Sequence, residues 1–265
     1  MKIKLNLLRL KDIRGFSHTG RVTEGTKICD RMKGVYVDVE RGWFVAVNDT
    51  IVAIRKNAVR YDTAIKSPVE GFVLTKQVLA QLAKQKLIKK DMEVDIERAD
   101  SGFVRLVFNG VFEVLAPGKY GFVNWEALLP APNSDSIEVF SKEMLCIIKE
   151  AKESANNYKT LKELGLQDKT DWESRRVRES LKLPFILCFK KTKVSLIPAY
   201  SINENIQDWG LGKDIGLNNI GISVDYAATI ASFVGEDATV STNKYECFVF
   251  SSHDTNKIAL IAPMK

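Results

Sequence analysis

Histidine is almost missing from this chain of 265 residues: His18 and His253 are the only two. Both stand in polar, turn-like surroundings, and neither falls in a metal-binding or catalytic-triad pattern, so the commonest general base and metal ligand is missing. No Gly-x-x-x-x-Gly-Lys-Ser/Thr loop occurs, and Gly210-Leu-Gly-Lys-Asp-Ile-Gly216 matches a phosphate cradle too loosely to be one. The four cysteines, Cys29, Cys146, Cys188 and Cys247, lie far apart without a Cys-x-x-Cys pair. Separate thiols in a reducing compartment fit that spacing better than a disulfide or a metal site. No apolar run approaches the roughly 18 to 20 residues that span a bilayer. Met1-Lys-Ile-Lys-Leu-Asn-Leu-Leu-Arg-Leu alternates polar with apolar residues, unlike the unbroken apolar core of a secretory signal, and predicts a first strand of a cytoplasmic protein. With no catalytic constellation, an enzyme is not expected, nor a cofactor or a bound metal.

What is present is ordinary globular composition, 45% hydrophobic and 27% charged, at a length suited to two domains. Charge is unevenly divided. Residues 1–133 hold 22 Lys and Arg against 15 Asp and Glu, a net of +7, which leaves −1 for residues 134–265. A polyanionic partner is therefore expected to meet the first half, although a basic balance alone is weak support for nucleic-acid binding.

Periodicity predicts strands at 1–7, 33–40, 43–54, 57–65 and 68–73, a helix from Thr75 to about Lys89, then strands at 92–98, 103–108 and 111–115. The Asn109-Gly110 pair marks a tight hairpin. A second helix near residues 8–18 is left open. The polar, proline-bearing Pro130-Ala-Pro-Asn-Ser-Asp-Ser136 is the best boundary, giving domains 1–133 and 134–265. Beyond it the order begins again, with a helix at 141–159, strands near 184–190, 193–200 and 203–209, a helix at 223–234, and strands at 238–243, 245–251 and 256–262. The repeated order predicts a duplicated α+β module. Residues 166–182, which carry Arg175, Arg176 and Arg178, stand outside the repeat as an insertion. They are a solvated excursion or a contact to DNA or a partner, since clustered arginines suit phosphates.

Several segments resemble, in order, the bacterial DNA polymerase sliding clamp, the β subunit. Lys33-Gly-Val-Tyr-Val-Asp-Val-Glu-Arg-Gly-Trp-Phe-Val-Ala-Val-Asn-Asp-Thr-Ile-Val-Ala-Ile54 is similar to the strand pair that in that family ends near Gly-His-Arg-Leu-Ala. Pro68-Val-Glu-Gly-Phe-Val-Leu-Thr-Lys-Gln-Val-Leu-Ala-Gln-Leu82 resembles the strand and helix that follow, and Phe112 to Pro130 resembles the segment leading out of the clamp's middle domain. Ser223-Val-Asp-Tyr-Ala-Ala-Thr-Ile-Ala-Ser-Phe, two strand-like stretches and Leu260-Ile-Ala-Pro-Met-Lys265 resemble its C-terminus. The resemblance implies the family's middle and C-terminal domains. It implies a processivity factor that encircles double-stranded DNA without reading sequence and tethers a DNA polymerase, with polymerase and clamp-loader peptides as partners. Six domains make such a ring, so two per chain imply a homotrimer, and the short form suggests a phage or mobile-element origin. The alternative is a clamp-fold decoy or accessory protein that binds those peptides without encircling DNA.

Two sets of residues follow from the resemblance. In a clamp ring the helices line the hole, which gives Lys76, Lys84, Lys86, Lys89 and Lys90 on the first-half helix a role at phosphates, with Lys142, Lys149 and Lys152 on helix 141–159 and Arg175 and Arg176 as further candidates. Lysines near a helix C-terminus also serve the helix dipole and solubility alone. The implied peptide pocket comprises Val47, Thr50, Ile51 and Val52 from the hairpin, Leu129 and Pro130 before the linker, and Leu260, Ala262, Pro263 and Met264 at the end, apolar walls suited to extended peptides. Asp49-Thr50-Ile51-Val52 departs from the family's Gly-His-Arg-Leu, and Ala262 stands where a Met is usual.

Overall fold

The computed structural model describes residues 1–17, 34–48, 50–61, 67–84, 91–119, 122, 124–129, 141–165, 170–180, 183–199, 205–211, 218–235, 238–242, 247–252 and 256–263. The chain divides into two compact units, Met1–Leu128 with Asn256–Ala259, and Leu129–Thr255 with Leu260–Lys265. Among the described residues no helix is long and apolar enough to cross a membrane.

In the first unit, strand β1 (Lys2–Asn6) alternates as its sequence predicts, with Ile3 and Leu5 buried and Lys2 and Lys4 exposed. The alternation then gives way to helix α1 (Leu7–Ile13). The Asn6 side chain caps it by accepting from the Arg9 N–H at 3.0 Å, and Leu7, Leu10 and Ile13 form its buried stripe. Strands β2 (Gly34–Asp38), β3 (Trp43–Val47), β4 (Ile51–Arg55) and β6 (Gly71–Thr75) join antiparallel in the order β4-β3-β2-β6. They are buried almost residue by residue, so their sequences read as continuous apolar runs. Helix α1 packs on β3 and β4, and helix α2 (Lys76–Lys84), which continues directly from β6, packs on β6.

The unit's other sheet has the order β5-β1-β7-β8-β9, with β5 (Val59–Tyr61), β7 (Asp91–Arg98), β8 (Phe103–Phe108) and β9 (Phe112–Pro117). Asn109 and Gly110 turn the β8–β9 hairpin, but within a three-residue connection closed by Val111. Both take left-handed backbone, with φ of 49° and 71°. After β9 the chain is held back against β2 and β3. Trp125 is fully buried beside Trp43, and the Arg41 guanidinium lies over both rings, 5.8 and 5.6 Å from their centroids. Arg41 also donates to the buried Asp38 at 3.0 Å and to both oxygens of Glu126 at 3.0 and 3.2 Å. This cation is therefore fully paired and fixes the exit segment to the sheet. Gly71 permits the close approach of β6 to β2, since a Cβ there would stand 2.4 Å from Tyr36 Oη and from Val37 O.

The second unit begins with helix α3 (Ser141–Leu164), 24 residues long and longer than its periodicity predicts. Met144, Ile147, Ile148, Ala151 and Ala155 form its buried stripe. Helix α4 (Asp171–Ser180) follows within the stretch read as an insertion, touching α3. Strands β10 (Phe185–Lys190), β11 (Lys193–Pro198), β12 (Gln207–Gly210) and β13 (Asn218–Ser223) form an antiparallel sheet in the order β12-β11-β10-β13. The sequence reading missed β13: Asn218-Asn-Ile-Gly-Ile-Ser looks like a turn, yet Ile220 and Ile222 are buried against β10. Helix α5 (Val224–Val234) grows from β13, buries Val224, Ala227 and Ile230, and stops at Gly235, whose φ of 94° suits glycine. Strands β14 (Thr239–Thr242) and β15 (Phe248–Ser252) pair antiparallel. The division between units passes through the last strand, β16 (Lys257–Ile261).

One arrangement occurs in both units. The meander β2-β3-β4 takes β6 back beside β2 and runs on into α2, and the meander β10-β11-β12 takes β13 back beside β10 and runs on into α5.

Candidate nucleic-acid interface

Helices α1 and α2 lie side by side in the first unit, where Leu7, Leu10, Leu79 and Leu82 line a narrow crevice whose rim carries Lys11 and Arg14. Both cations are exposed, as is Lys76 at the start of α2. The α2 sequence, Lys-Gln-Val-Leu-Ala-Gln-Leu-Ala-Lys, has no carboxylate, and α1 has one, Asp12, with an oxygen 3.8 Å from Arg55 Nε. Arg9 is occupied: it donates to the backbone oxygens of Lys56, at 3.2 Å, and Asn57. Lys84 ends α2, and Lys86, Lys89 and Lys90 lie outside the described residues.

Lys11 and Arg14 were missed by the sequence reading, which left a helix near residues 8–18 open. Their signal was available in the Asn6 cap followed by Leu7, Leu10 and Ile13 at helical spacing. Cations left without a carboxylate partner among the described residues, on two adjacent helices and the turn after α1, can hold phosphates without contacting base edges, and such binding weakens steeply with salt.

The matching helices of the second unit, α3 and α5, are also packed together. Their charges cancel. Lys152 pairs with Asp225 at the start of α5, whose sequence contains no Lys or Arg. Glu150 is engaged differently, accepting from Trp209 Nε1 at 2.7 Å. Lys142 and Lys149 are exposed, without a carboxylate partner among the described residues. On α4, Arg175 donates to Glu179 at 3.2 Å, and Arg176 lies over the Trp172 ring, 5.7 Å from its centroid.

The residues expected to receive peptides divide by burial. Val47, Ile51, Val52 and Leu260 are buried, while Thr50, Leu129, Ala262 and Pro263 are half-buried. Pro130 and Met264 lie outside the described residues. No group of three or more His, Cys, Asp or Glu placed to hold a metal occurs among the described residues.

No protein-family model matches the chain, and no curated protein matches it. Solved structures do. The Caulobacter crescentus β sliding clamp superposes with a TM-score of 0.59 over 100% of this chain and 66% of its own, at 14% identity. The Helicobacter pylori β clamp, in a structure with a DNA ligase peptide bound, superposes at 0.57 over 99% of this chain and 66% of its own, at 12% identity. The DNA polymerase III β subunit of Pseudomonas aeruginosa gives 0.58 over 99% and 66%, at 14%. The fold is therefore that of the bacterial β sliding clamps across the whole of this α+β chain, and the chain spans 66% of the length of those proteins.

Proposed function

We propose that this chain is a sliding clamp: a non-catalytic ring subunit that encloses double-stranded DNA and tethers a DNA polymerase to it. The observation that carries the reading is the combination of clamp fold with two adjacent helices, α1 and α2, which with the turn after α1 expose Lys11, Arg14 and Lys76 and contain a single carboxylate, Asp12. Contact with phosphates alone leaves the protein free to move along the duplex. The first unit supplies the greater share of that contact, since Lys152 is neutralised by Asp225 in the second. Polymerase and clamp-loader peptides are the proposed protein partners, and the half-buried Leu129, Ala262 and Pro263 are the residues of the second unit available to them.

Two clamp-like units per chain and a six-domain ring give three subunits. Light scattering at micromolar concentration is expected to report about three times 29.8 kDa, closure by symmetric contacts being the usual solution for identical subunits. The assembled protein, loaded on nicked circular DNA, should be released when the circle is linearised. A monomer that holds linear and circular DNA equally, or neither, would overturn encirclement and leave a clamp-fold accessory protein that binds peptides off DNA.

A further inference from the structure

Helix α4 has a face that folding does not use. Its N-terminus is closed by a reciprocal cap: the Glu173 N–H donates to Thr170 Oγ1 at 3.4 Å, and that hydroxyl donates to the Glu173 carboxylate at 3.1 Å. Ser174 is buried and Val177 half-buried, three residues apart on the packed side. Trp172, Arg175, Arg176 and Glu179, spaced by three and four residues, share the opposite side. Trp172 is 68% exposed. An indole contributes to stability chiefly by leaving water, so one held in the open on a capped helix serves something other than the core.

Charge indicates what. Glu173 is engaged in the cap and Glu179 by Arg175, whereas Arg176 and Arg178 meet no carboxylate among the described residues. The Arg176 guanidinium lies over the indole and holds it in place. What remains available is an exposed indole with the unopposed Arg176 against it and the exposed Arg178 further along the same helix, the combination that receives an unpaired nucleotide: a base stacks on the ring while the guanidinium groups take the flanking phosphates. A duplex, with its bases already stacked, offers the indole nothing equivalent.

We propose that the exposed surface of α4 binds a single DNA strand, with Trp172 as the stacking platform, Arg176 as the phosphate contact beside it and Arg178, on the flank of the helix, as the contact to a neighbouring phosphate. This goes beyond enclosure of duplex DNA and requires neither ring closure nor the α1–α2 face. An acidic protein segment would use the same arginines but has no base to stack on Trp172.

The test is fluorescence anisotropy of the full chain with labelled oligo-dT, a duplex of equal length, and poly-glutamate as the acidic-polypeptide probe. Trp172→Ala is expected to weaken oligo-dT binding about tenfold, Trp172→Phe to retain most of it, and neither to change duplex binding. Arg176→Gln with Arg178→Gln should lower the log–log salt slope for oligo-dT by about 1.4, at about 0.7 for each contact. Circular dichroism of each variant verifies folding, which substitution at these exposed positions leaves intact. Oligo-dT affinity indifferent to Trp172→Ala, or poly-glutamate binding with the same dependence on Trp172, overturns the proposal; the latter assigns the face to an acidic protein.

Discussion

Removing three cations from the first unit should change how DNA binding responds to salt by an amount that the structure bounds. Lys11, Arg14 and Lys76 are exposed on α1, its following turn and α2, and the only carboxylate of those two helices is Asp12. Each cation that touches a phosphate releases condensed counterions, which contributes about 0.9 to the slope of log binding constant against log salt. Changing all three to alanine is therefore expected to reduce the slope by up to about 2.7 for each chain on the DNA. Lys152→Ala is the internal control: Lys152 is already neutralised by Asp225, so the slope should hardly move. Retention on nicked circular plasmid across a salt series measures both variants, and exposed substitutions of this kind shift stability by about 0.5 kcal/mol or less. A triple variant with the parental slope, or a Lys152→Ala variant that loses as much, would refute the assignment of DNA contact to the α1–α2 face.

Arg55 presents the opposite case, a cation without adequate partners. Its side chain is 12% exposed, Nε and Nη1 are buried without a hydrogen bond among the described residues, and the nearest carboxylate oxygen, on Asp12, is 3.8 Å from Nε. Burial, with the neighbouring Arg9 charge, draws its pKa below the ordinary value against the pull of Asp12. Arg55→Met should raise the thermal midpoint, by about 1 to 3 kcal/mol of stability, because an apolar chain of similar length removes the desolvation cost; a fall in the midpoint would show that Arg55 is satisfied. At Glu126, burial raises the carboxyl's pKa, but the Arg41 hydrogen bonds and the charges of Arg41 and Lys119 outweigh it and hold the value below the ordinary one. The stabilisation is thus present above the unfolded carboxyl's pKa of about 4.3 and lost as pH falls through the lower folded value. Urea midpoints measured from pH 7 down to pH 3 should decline less steeply for Glu126→Gln than for the parent, by about 0.5 to 1 kcal/mol over that span, and parallel curves would mean the pair is fully screened by solvent.

Most of the strands were legible because their signals are local. Val35 to Val37 and Phe72 to Leu74 are unbroken apolar runs, and β7 and β8 alternate in register with their burial. The failures have equally local causes. The alternation of Met1 to Leu7 runs into α1 without a break, so the change from strand to helix is marked only by the cap at Asn6 and the spacing of Leu7, Leu10 and Ile13. In β13 two asparagines and a glycine hide a strand that exists because Ile220 and Ile222 find β10, about 30 residues earlier. Helix α4 carries its own markers, the Thr170/Glu173 cap and the Arg175/Glu179 pair, but it stands outside the repeated order of elements and so has no counterpart in the first half to reveal it.

Charge allocation was the part no local signal could supply. Along the sequence Lys11, Lys76, Lys149 and Lys152 are equivalent, each a lysine on or near an amphipathic helix. In the folded chain Lys152 is taken up by a carboxylate 73 residues away, while α2 has no carboxylate of its own. Composition placed the excess of cations in the first half; packing determines which of them remain unopposed. The Arg176 and Arg178 pair illustrates the same point, since three arginines and three acidic residues make α4 formally neutral, yet the cap and one i,i+4 ion pair use Glu173 and Glu179 and leave two guanidinium groups without a carboxylate among the described residues. A surface for an anionic partner is therefore defined by the cations left over after the fold has made its own pairs, and net charge along the sequence locates it only to within a domain.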